Sequence, residues 1–282
     1  MITAMPRIAI AVRDYTAAVE TFREAFGMPV ADYSEHTVRA LGAHVGMCAP
    51  EGGSNLELMS PADPAKPLSR SLAKFLDQRG EGFYALMLEA PDPDAEAAEL
   101  AQRGLEVMPL MKGAAGRDLH PRSTHGVLIR VYPDDSVRHK GPRVSAAPNL
   151  SGIAKVLVAV RDLGHAAEVY GCGLGLALNP PTADEALGVT RVVCRPPKGG
   201  SIELVAPDGS DRPLAAALAE HAAQRGEGMF ALVLQADDPE AAAGVLERRG
   251  VEVRRGPLGC EARAFGARLL LEARGPAGLG AG

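Results

Sequence analysis

The sequence predicts an α+β chain of two tandem domains built from four βαβββ units, and three observations predict it. Strings recur at a nearly fixed distance: QRGEG at 78–82 returns at 224–228, AVRD at 11–14 returns at 159–162, and Leu56-Glu57-Leu58 is matched by Ile202-Glu203-Leu204. The offset is 148 residues at AVRD and 146 at the other two, so the chain holds two copies of one domain and not a short-period solenoid. Within a copy, a short apolar strand is followed by a capping Asp and then an amphipathic run, and this order occurs twice. Finally, a polar stretch rich in Gly, Pro and Ser separates the copies.

The elements follow in order. Arg7 to Val12 is an apolar strand, and Asp14 stands as the N-cap of an amphipathic run ending near Gly27. Residues 29–60 hold three apolar segments broken by polar or Gly-Pro punctuation, which predicts three antiparallel strands, the last closing at Leu56 to Met59. A connecting helix is expected around Ser69 to Gln78. The pattern then restarts with a strand at Tyr84 to Leu88, a cap at Asp92, a helix from Asp94 to Arg103, and strands reaching Val127 to Tyr132. The first domain is thus expected over 1–135, a linker over 136–150 and the second domain over 151–274. The second domain's first strand falls at Lys155 to Val160 and its last at Ala267 to Glu272. Residues 275–282, GPAGLGAG, offer almost no side chain to bury and are expected to be a mobile tail.

Composition narrows the function. A net charge of -5 in 282 residues argues against a general affinity for nucleic acid or anionic membrane, leaving a small molecule or another protein as partner. Cys48, Cys172, Cys194 and Cys260 form no C-x-x-C pair, so neither a thiolate zinc site nor a disulfide framework is indicated. The N-terminal segment has no basic stretch leading into a long apolar run, and no stretch reaches about 18 apolar residues, so a cytoplasmic protein is expected. The base rate for soluble proteins makes a homodimer the default assembly. The glycines of RGEG precede their strand, unlike those of a phosphate-binding loop, and are expected to make a turn. Ser123 and Thr124 lack the setting of a nucleophile. With 4% aromatic residues and no Trp, a broad stacking surface is poorly supported, although Phe83, Tyr84 and Phe230 remain candidates to line individual pockets or the core.

IAIAVRD at 8–14, NLELMSP at 55–61, RGEGFYALMLEAPDPDA at 79–95 and LHPRSTHGVLIRVYP at 119–133, with weaker counterparts in the second half, resemble the vicinal oxygen chelate superfamily. That group contains glyoxalase I, methylmalonyl-CoA epimerase, extradiol dioxygenases and bleomycin-resistance proteins, and the last motif is most similar to the epimerase branch. The resemblance covers almost the whole chain. It implies paired βαβββ units whose curved mixed sheets enclose a pocket, in many members around a divalent metal held by first-strand and last-strand residues.

Carried over residue by residue, the ligand positions of the first domain fall on Arg7, Glu57, Ala85 and Arg130, and those of the second on Lys155, Glu203, Ala231 and Leu270. Glu272 lies two residues beyond the last and would reach that position only through a bulge. A guanidinium has no lone pair to offer, so no metal or other cofactor is expected. Arg7 with Glu57, and Lys155 with Glu203, then admit two readings: structural ion pairs in abandoned metal sites, or a charged binding site. The second reading is stronger in the first domain, where Arg130 adds a cation and Tyr84 a phenol. Two guanidiniums against one carboxylate would leave a positive surplus suited to a carboxylate, enolate or phosphate.

On that reading the protein is a metal-independent isomerase or lyase acting by proton transfer on a small anionic substrate, with acyl-CoA-like compounds among those the resemblance implies. Glu57 and Tyr84 are the catalytic candidates, Arg7, Arg130 and His125 the substrate-binding ones, and Lys155 and Glu203 their second-domain equivalents. The alternative is a non-catalytic small-molecule binder such as an antibiotic-sequestering protein. Among the other histidines, His120 is expected at a strand entrance, His36 and His44 on strands, His139 in the linker, and His165 and His221 on helix surfaces.

Overall fold

The computed structural model describes residues 1–35, 39–136 and 146–275. His36, His139, most of the expected linker and nearly all of the expected tail lie outside the described residues.

The first half runs β1 (Ala4–Ala11), α1 (Tyr15–Glu20), β2 (Val30–Asp32), β3 (Ala43–Cys48), β4 (Asn55–Pro61), α2 (Pro67–Arg79), β5 (Gly82–Ala90), α3 (Pro93–Gln102), β6 (Arg117–Leu119) and β7 (Ile129–Pro133). The second half repeats it as β8 (Ile153–Ala159), α4 (Leu163–Glu168), β9 (Ala177–Leu178), β10 (Thr182–Asp184), β11 (Val189–Arg195), β12 (Ser201–Pro207), α5 (Pro213–Arg225), β13 (Gly228–Ala236), α6 (Pro239–Arg248), β14 (Glu252–Gly256), β15 (Gly259–Ala264) and β16 (Ala267–Ala273). Each half is one mixed sheet. The orders are β2-β3-β4-β1-β5-β7-β6 and β10-β11-β12-β8-β13-β16-β15-β14, with β9 added on β11. The expected α+β tandem is present, with one departure. In the first half's second unit, the strand expected after α3 is reduced to a single bridge from Val107 to Leu119, followed by the Pro- and Gly-containing run 108–116.

Local chemistry fixes the elements. Asp14, Asp92, Asp162 and Asp238 each cap a helix by accepting a backbone N–H of its first turn, at 2.9–3.1 Å. α1 and α4 continue as single π-helical turns over Thr21–Ala25 and Val169–Gly173. The strands alternate in the manner their sequences dictate. Ile8, Ile10, Leu56, Leu58, Leu86 and Leu88 enter one core together with Val156, Val158, Ile202, Leu204, Leu232 and Leu234 of the other sheet. The helix-covered faces of both halves therefore share a single core. On the opposite, concave face of the first sheet, Ala9, Ala11, Val45, Met59, Ala85 and Met87 pack under Leu68, Leu72 and Leu76 of α2. α5 covers the second sheet in the same way with Leu214 and Leu218. The connecting helices thus sit inside the two hollows.

The repeated strings turn out to be contacts. Glu81 of the first RGEG accepts the backbone N–H of Arg13 at 2.7 Å, and Glu227 of the second accepts that of Arg161 at 2.6 Å. This explains why RGEG and AVRD recur together. Across the halves, the tight turns at His125-Gly126 and Phe265-Gly266 have positive φ at both residues and rest on Glu227 and Glu81 respectively. A Cβ on Gly126 or Gly266 would lie 2.0 Å from that carbonyl oxygen, so only glycine fits. Arg103 Nη1 donates to Gly173 O, and its counterpart Arg249 donates to Glu24 O and Ala25 O, each reaching the other half's π-helical turn.

Candidate functional site

The strand registers make the expected ligand positions equivalent in all four units. Glu57 pairs with Ala9, two residues beyond Arg7, and Arg130 pairs with Met87, two residues beyond Ala85. In the second sheet Glu203 pairs with Leu157 and Leu270 with Val233, two residues beyond Lys155 and Ala231. The β13–β16 ladder is regular, so no bulge moves Glu272 into the Leu270 position.

In the first hollow Arg7 and Glu57 do meet. Arg7 Nε donates to Glu57 Oε2 at 3.0 Å, with the two side chains only 5% and 8% exposed. Arg7 Nη1 donates to Ser136 Oγ at 2.7 Å, Ser136 donates in turn to Glu89 Oε1, and the guanidinium lies 4.5 Å from the Tyr132 ring centre. Arg130 is also buried, but its partner is Asp118, directly opposite it on β6. Nη2 donates to Asp118 Oδ2 at 3.1 Å. Nε stands 3.0 Å from Oδ1 at an angle too poor for a hydrogen bond, leaving a buried donor without an acceptor. Burial works against the Arg130 charge, but Asp118, then Tyr84 and Tyr132, outweigh it and hold the pKa above the ordinary arginine value. Burial likewise raises Tyr132, against the pull of Arg130 and Arg7. Tyr84 lies under Arg130, with 5.5 Å from guanidinium to ring centre, and its hydroxyl is 2.8 Å from Ser71 Oγ.

Two corrections follow. The expected positive surplus is absent: the two guanidiniums share this hollow with three carboxylates, Glu57, Asp118 and Glu89. Asp118 was missed because the short strand carrying it was not assigned; once paired, opposite charges directly across a ladder are the expected arrangement. His125 is not with Arg7 and Arg130. Its positive-φ turn carries it to the other half, where Nδ1 lies 3.2 Å from Glu227 Oε2 and Nε2 lies 3.0 Å from His165 Nδ1. The remaining histidines among the described residues also have local partners. His44 is exposed and stacks on Tyr15, His120 Nδ1 accepts from Arg122 N, and His221 meets the Phe230 ring edge-on.

The second hollow is wetter. Lys155 Nζ donates to Glu272 at 2.6 Å and lies 4.0 Å from Glu203, which also has Arg191 at 3.8 Å. Arg191 is bonded to Asp184 as well.

Neither set suits the metal of the superfamily. Each hollow offers one carboxylate at the four ligand positions, and Arg7 or Lys155 directs N–H donors where a metal needs lone pairs. Among the described residues no group of three His, Cys, Asp or Glu is arranged to hold an ion.

A further opening lies between the halves, a cavity of about 670 Å³ bounded by α2, α5 and the two positive-φ turns. It touches the first hollow's wall only at Tyr84, Phe75 and Leu128.

Tandem mixed sheets with paired βαβββ units define the class to which this molecule belongs. Residues 7–120 and 155–264 each match the model of the Glyoxalase/Bleomycin resistance protein/Dioxygenase superfamily, and the chain is a member of that family. It is similar in fold to a substituted 4-hydroxymandelate synthase from Streptomyces coelicolor, with 15% identity over 98% of this chain and 94% of that one and a TM-score of 0.66. A fusion of a xylose isomerase-like TIM barrel with 4-hydroxyphenylpyruvate dioxygenase matches with 15% identity over 100% of this chain and 51% of that one, TM-score 0.62. A substituted methylmalonyl-CoA epimerase from Streptomyces coelicolor, in complex with 2-nitronate-propionyl-CoA, matches 49% of this chain and 99% of its own at 25% identity, TM-score 0.41. No curated protein matches the sequence. No helix among the described residues is long and apolar enough to cross a membrane.

Proposed function

We propose that this chain is a metal-independent, non-catalytic binder of a small anionic molecule, in which the sheet hollows serve structure. The observation that supports this is charge compensation in the first hollow: Arg7 and Arg130 are buried against Glu57 and Asp118, and α2 fills the neighbouring space. An anion entering there would have to displace an internal carboxylate and meet the others.

A second reading is favoured by the unsatisfied Nε of Arg130. On it the protein is an isomerase or lyase. Glu57 takes a proton from carbon next to a carbonyl, the electron pair moves to the carbonyl oxygen, and Arg130 opposes the enolate, with Tyr84 and Arg7 positioning the groups. The Arg7 Nε hydrogen bond already occupies Oε2 of Glu57, which leaves one carboxylate oxygen for a substrate proton and counts against this chemistry.

One experiment separates the two. The full chain is incubated in D2O with a panel of 2-oxo acids and acyl thioesters while exchange of the α-hydrogens is followed by NMR. No exchange above the solvent rate is expected, with or without chelator. Exchange that Glu57→Gln abolishes would overturn the binding reading and establish the enzyme. Stoichiometric divalent metal in the purified protein would overturn metal independence.

A further inference from the structure

The cavity between the halves has two properties that the composition of the chain makes improbable by accident. The first is aromatic lining. Phe75, Phe83, Tyr84, Phe230 and Phe265 all face it, five of the eleven Phe and Tyr residues of a chain with no Trp. They come from both halves, Phe75 and Tyr84 on one side standing opposite their counterparts His221 and Phe230 on the other. The second is charge. Lys74, Arg79, Arg225, Arg254, Arg263 and Arg268 line it against Glu220, Glu227 and Glu252, a cationic surplus in a protein whose net charge is -5.

The surplus is only partly cancelled inside the wall. Glu252 pairs with Arg254, and Glu261 behind the surface is shared by Arg263 and Arg268. Glu227 is taken up by Arg161 N and His125. Arg268 is the most telling residue: its guanidinium stacks 4.2 Å from the Phe230 ring centre, and its Nη1 is buried without any hydrogen-bond partner. Nη1 itself is shielded by its neighbours, so a ligand in the cavity would feel the guanidinium's charge and meet its accessible part, the side chain being 19% exposed.

We infer that this cavity is a binding site for a flat organic anion, an aromatic carboxylate, sulfonate or phosphate ester whose ring lies among the Phe and Tyr side chains and whose acidic group meets Arg268 and Arg225. A volume of about 670 Å³ lies within the range of small-molecule sites, and stacking plus charge gives both orientation and affinity. The inference gives the binding reading above its site, yet it stands or falls separately, because Glu57 does not line the cavity.

The test titrates the full-length protein with 1-anilinonaphthalene-8-sulfonate, followed by fluorescence, with 1-naphthoate and decanoate as competitors. Saturable one-to-one binding is expected, weakening as salt rises. Naphthoate should displace the dye at least about tenfold more effectively than decanoate. Arg225→Gln/Arg268→Gln should weaken dye binding at least about fivefold, whereas Arg195→Gln/Lys198→Gln, on the exposed surface away from the cavity and with the same charge change, should leave it unaltered. Arg79→Gln/Arg225→Gln, both at exposed helix ends, repeats the test if Arg268 proves necessary for folding, with thermal melting as the control. Absence of saturable binding, equal losses in the cavity and surface variants, or equal competition by the two carboxylates would each overturn the inference. None of these outcomes bears on proton exchange at Glu57, so the two readings fail separately.

Discussion

Cutting the Arg7–Glu57 pair one side at a time measures whether the first hollow is as dry as the structure has it. The charges stand 3.0 Å apart on side chains 5% and 8% exposed. At that distance the attraction is about 5 kcal/mol for an effective dielectric of about 20, and desolvation of both groups cancels most of it. The intact pair is therefore worth little against two apolar side chains, whereas removing one member strands the other at a cost of about 3–5 kcal/mol. Glu57→Leu leaves Arg7 with the Ser136 hydroxyl and the Tyr132 ring as partners, which sets the expected loss near the lower figure, about 3 kcal/mol. Arg7→Met strands Glu57 and also forfeits those two contacts, so about 4–5 kcal/mol is expected. The double variant should return to within about 1–2 kcal/mol of the parent. Because one core spans both halves, the singles should appear as Tm losses of about 5–9 °C in scanning calorimetry at neutral pH. Single losses under about 2 °C, or losses that simply add in the double variant, would show that water reaches the pair and would refute the closed hollow.

Other outcomes follow from particular groups. His221 is pushed down to about 4 by burial and then by Arg225, Arg268 and Arg79, so it is neutral in the fold and titrates near 6.5 when unfolded. Stability should be level above pH 6.5 and fall as pH drops from there toward 4, by about 1–2 kcal/mol after allowance for partial exposure. In His221→Phe, which copies the equivalent Phe75, that slope in a urea-midpoint series should flatten. Gly126→Ala and Gly266→Ala should each cost at least about 2–3 kcal/mol in urea unfolding, since each adds a methyl 2.0 Å from a carbonyl oxygen at positive φ; a loss under about 1 kcal/mol would contradict the interface. Of the four cysteines only Cys172 is exposed, and burial pushes the Cys194 thiol up to about 12, so a disulfide reagent should titrate one thiol in the native protein and four after denaturation.

Much of the fold was legible because its signals are local. Asp14 and Asp92 read as caps and cap their helices, and the period-two strands around Arg7, Leu56 and Tyr84 lie where their alternation puts them. The pairing of Arg7 with Glu57 was expected from the resemblance, which places both at ligand positions of adjoining strands, and the parallel register of β1 with β4 brings them together. Arg130 was different. Its partner Asp118 sits on a strand of three residues after a Pro- and Gly-containing run, too short to show a period. His125 was misplaced for a related reason: a non-glycine residue at positive φ turns the chain, and the alternation of the following strand cannot be extended back through it. Of the cavity between the halves only Phe83, Tyr84 and Phe230 had been singled out as candidates to line a pocket, and the cavity itself was not legible. Its aromatic and cationic residues come from six or more elements, and only the docking of the halves gathers them.

What repeats in this chain and what does not now have different physical meanings. RGEG and the Arg-Gly at the ends of α3 and α6 recur at contacts between the halves, where Gly126 and Gly266 rest on Glu227 and Glu81 and where Arg103 and Arg249 reach the opposite π-helical turn, whereas AVRD recurs because its Arg backbone N–H bonds the RGEG glutamate of its own half. A contact between equivalent surfaces is made twice, once in each direction, so the same residue types serve in both copies. The concave positions carry no such constraint and have diverged, to Arg130 in one sheet and Leu270 in the other, and to a dry pair in the first hollow against a partly exposed one in the second. The cavity walls have diverged too, Tyr84 and Phe75 on one side facing Phe230 and His221 on the other, with Arg268 opposite the apolar Leu128. The lining is asymmetric inside a symmetric frame, and in it Arg268 stacks on Phe230, so charge and ring surface are offered side by side, which suits a ligand whose acidic group is carried on its ring.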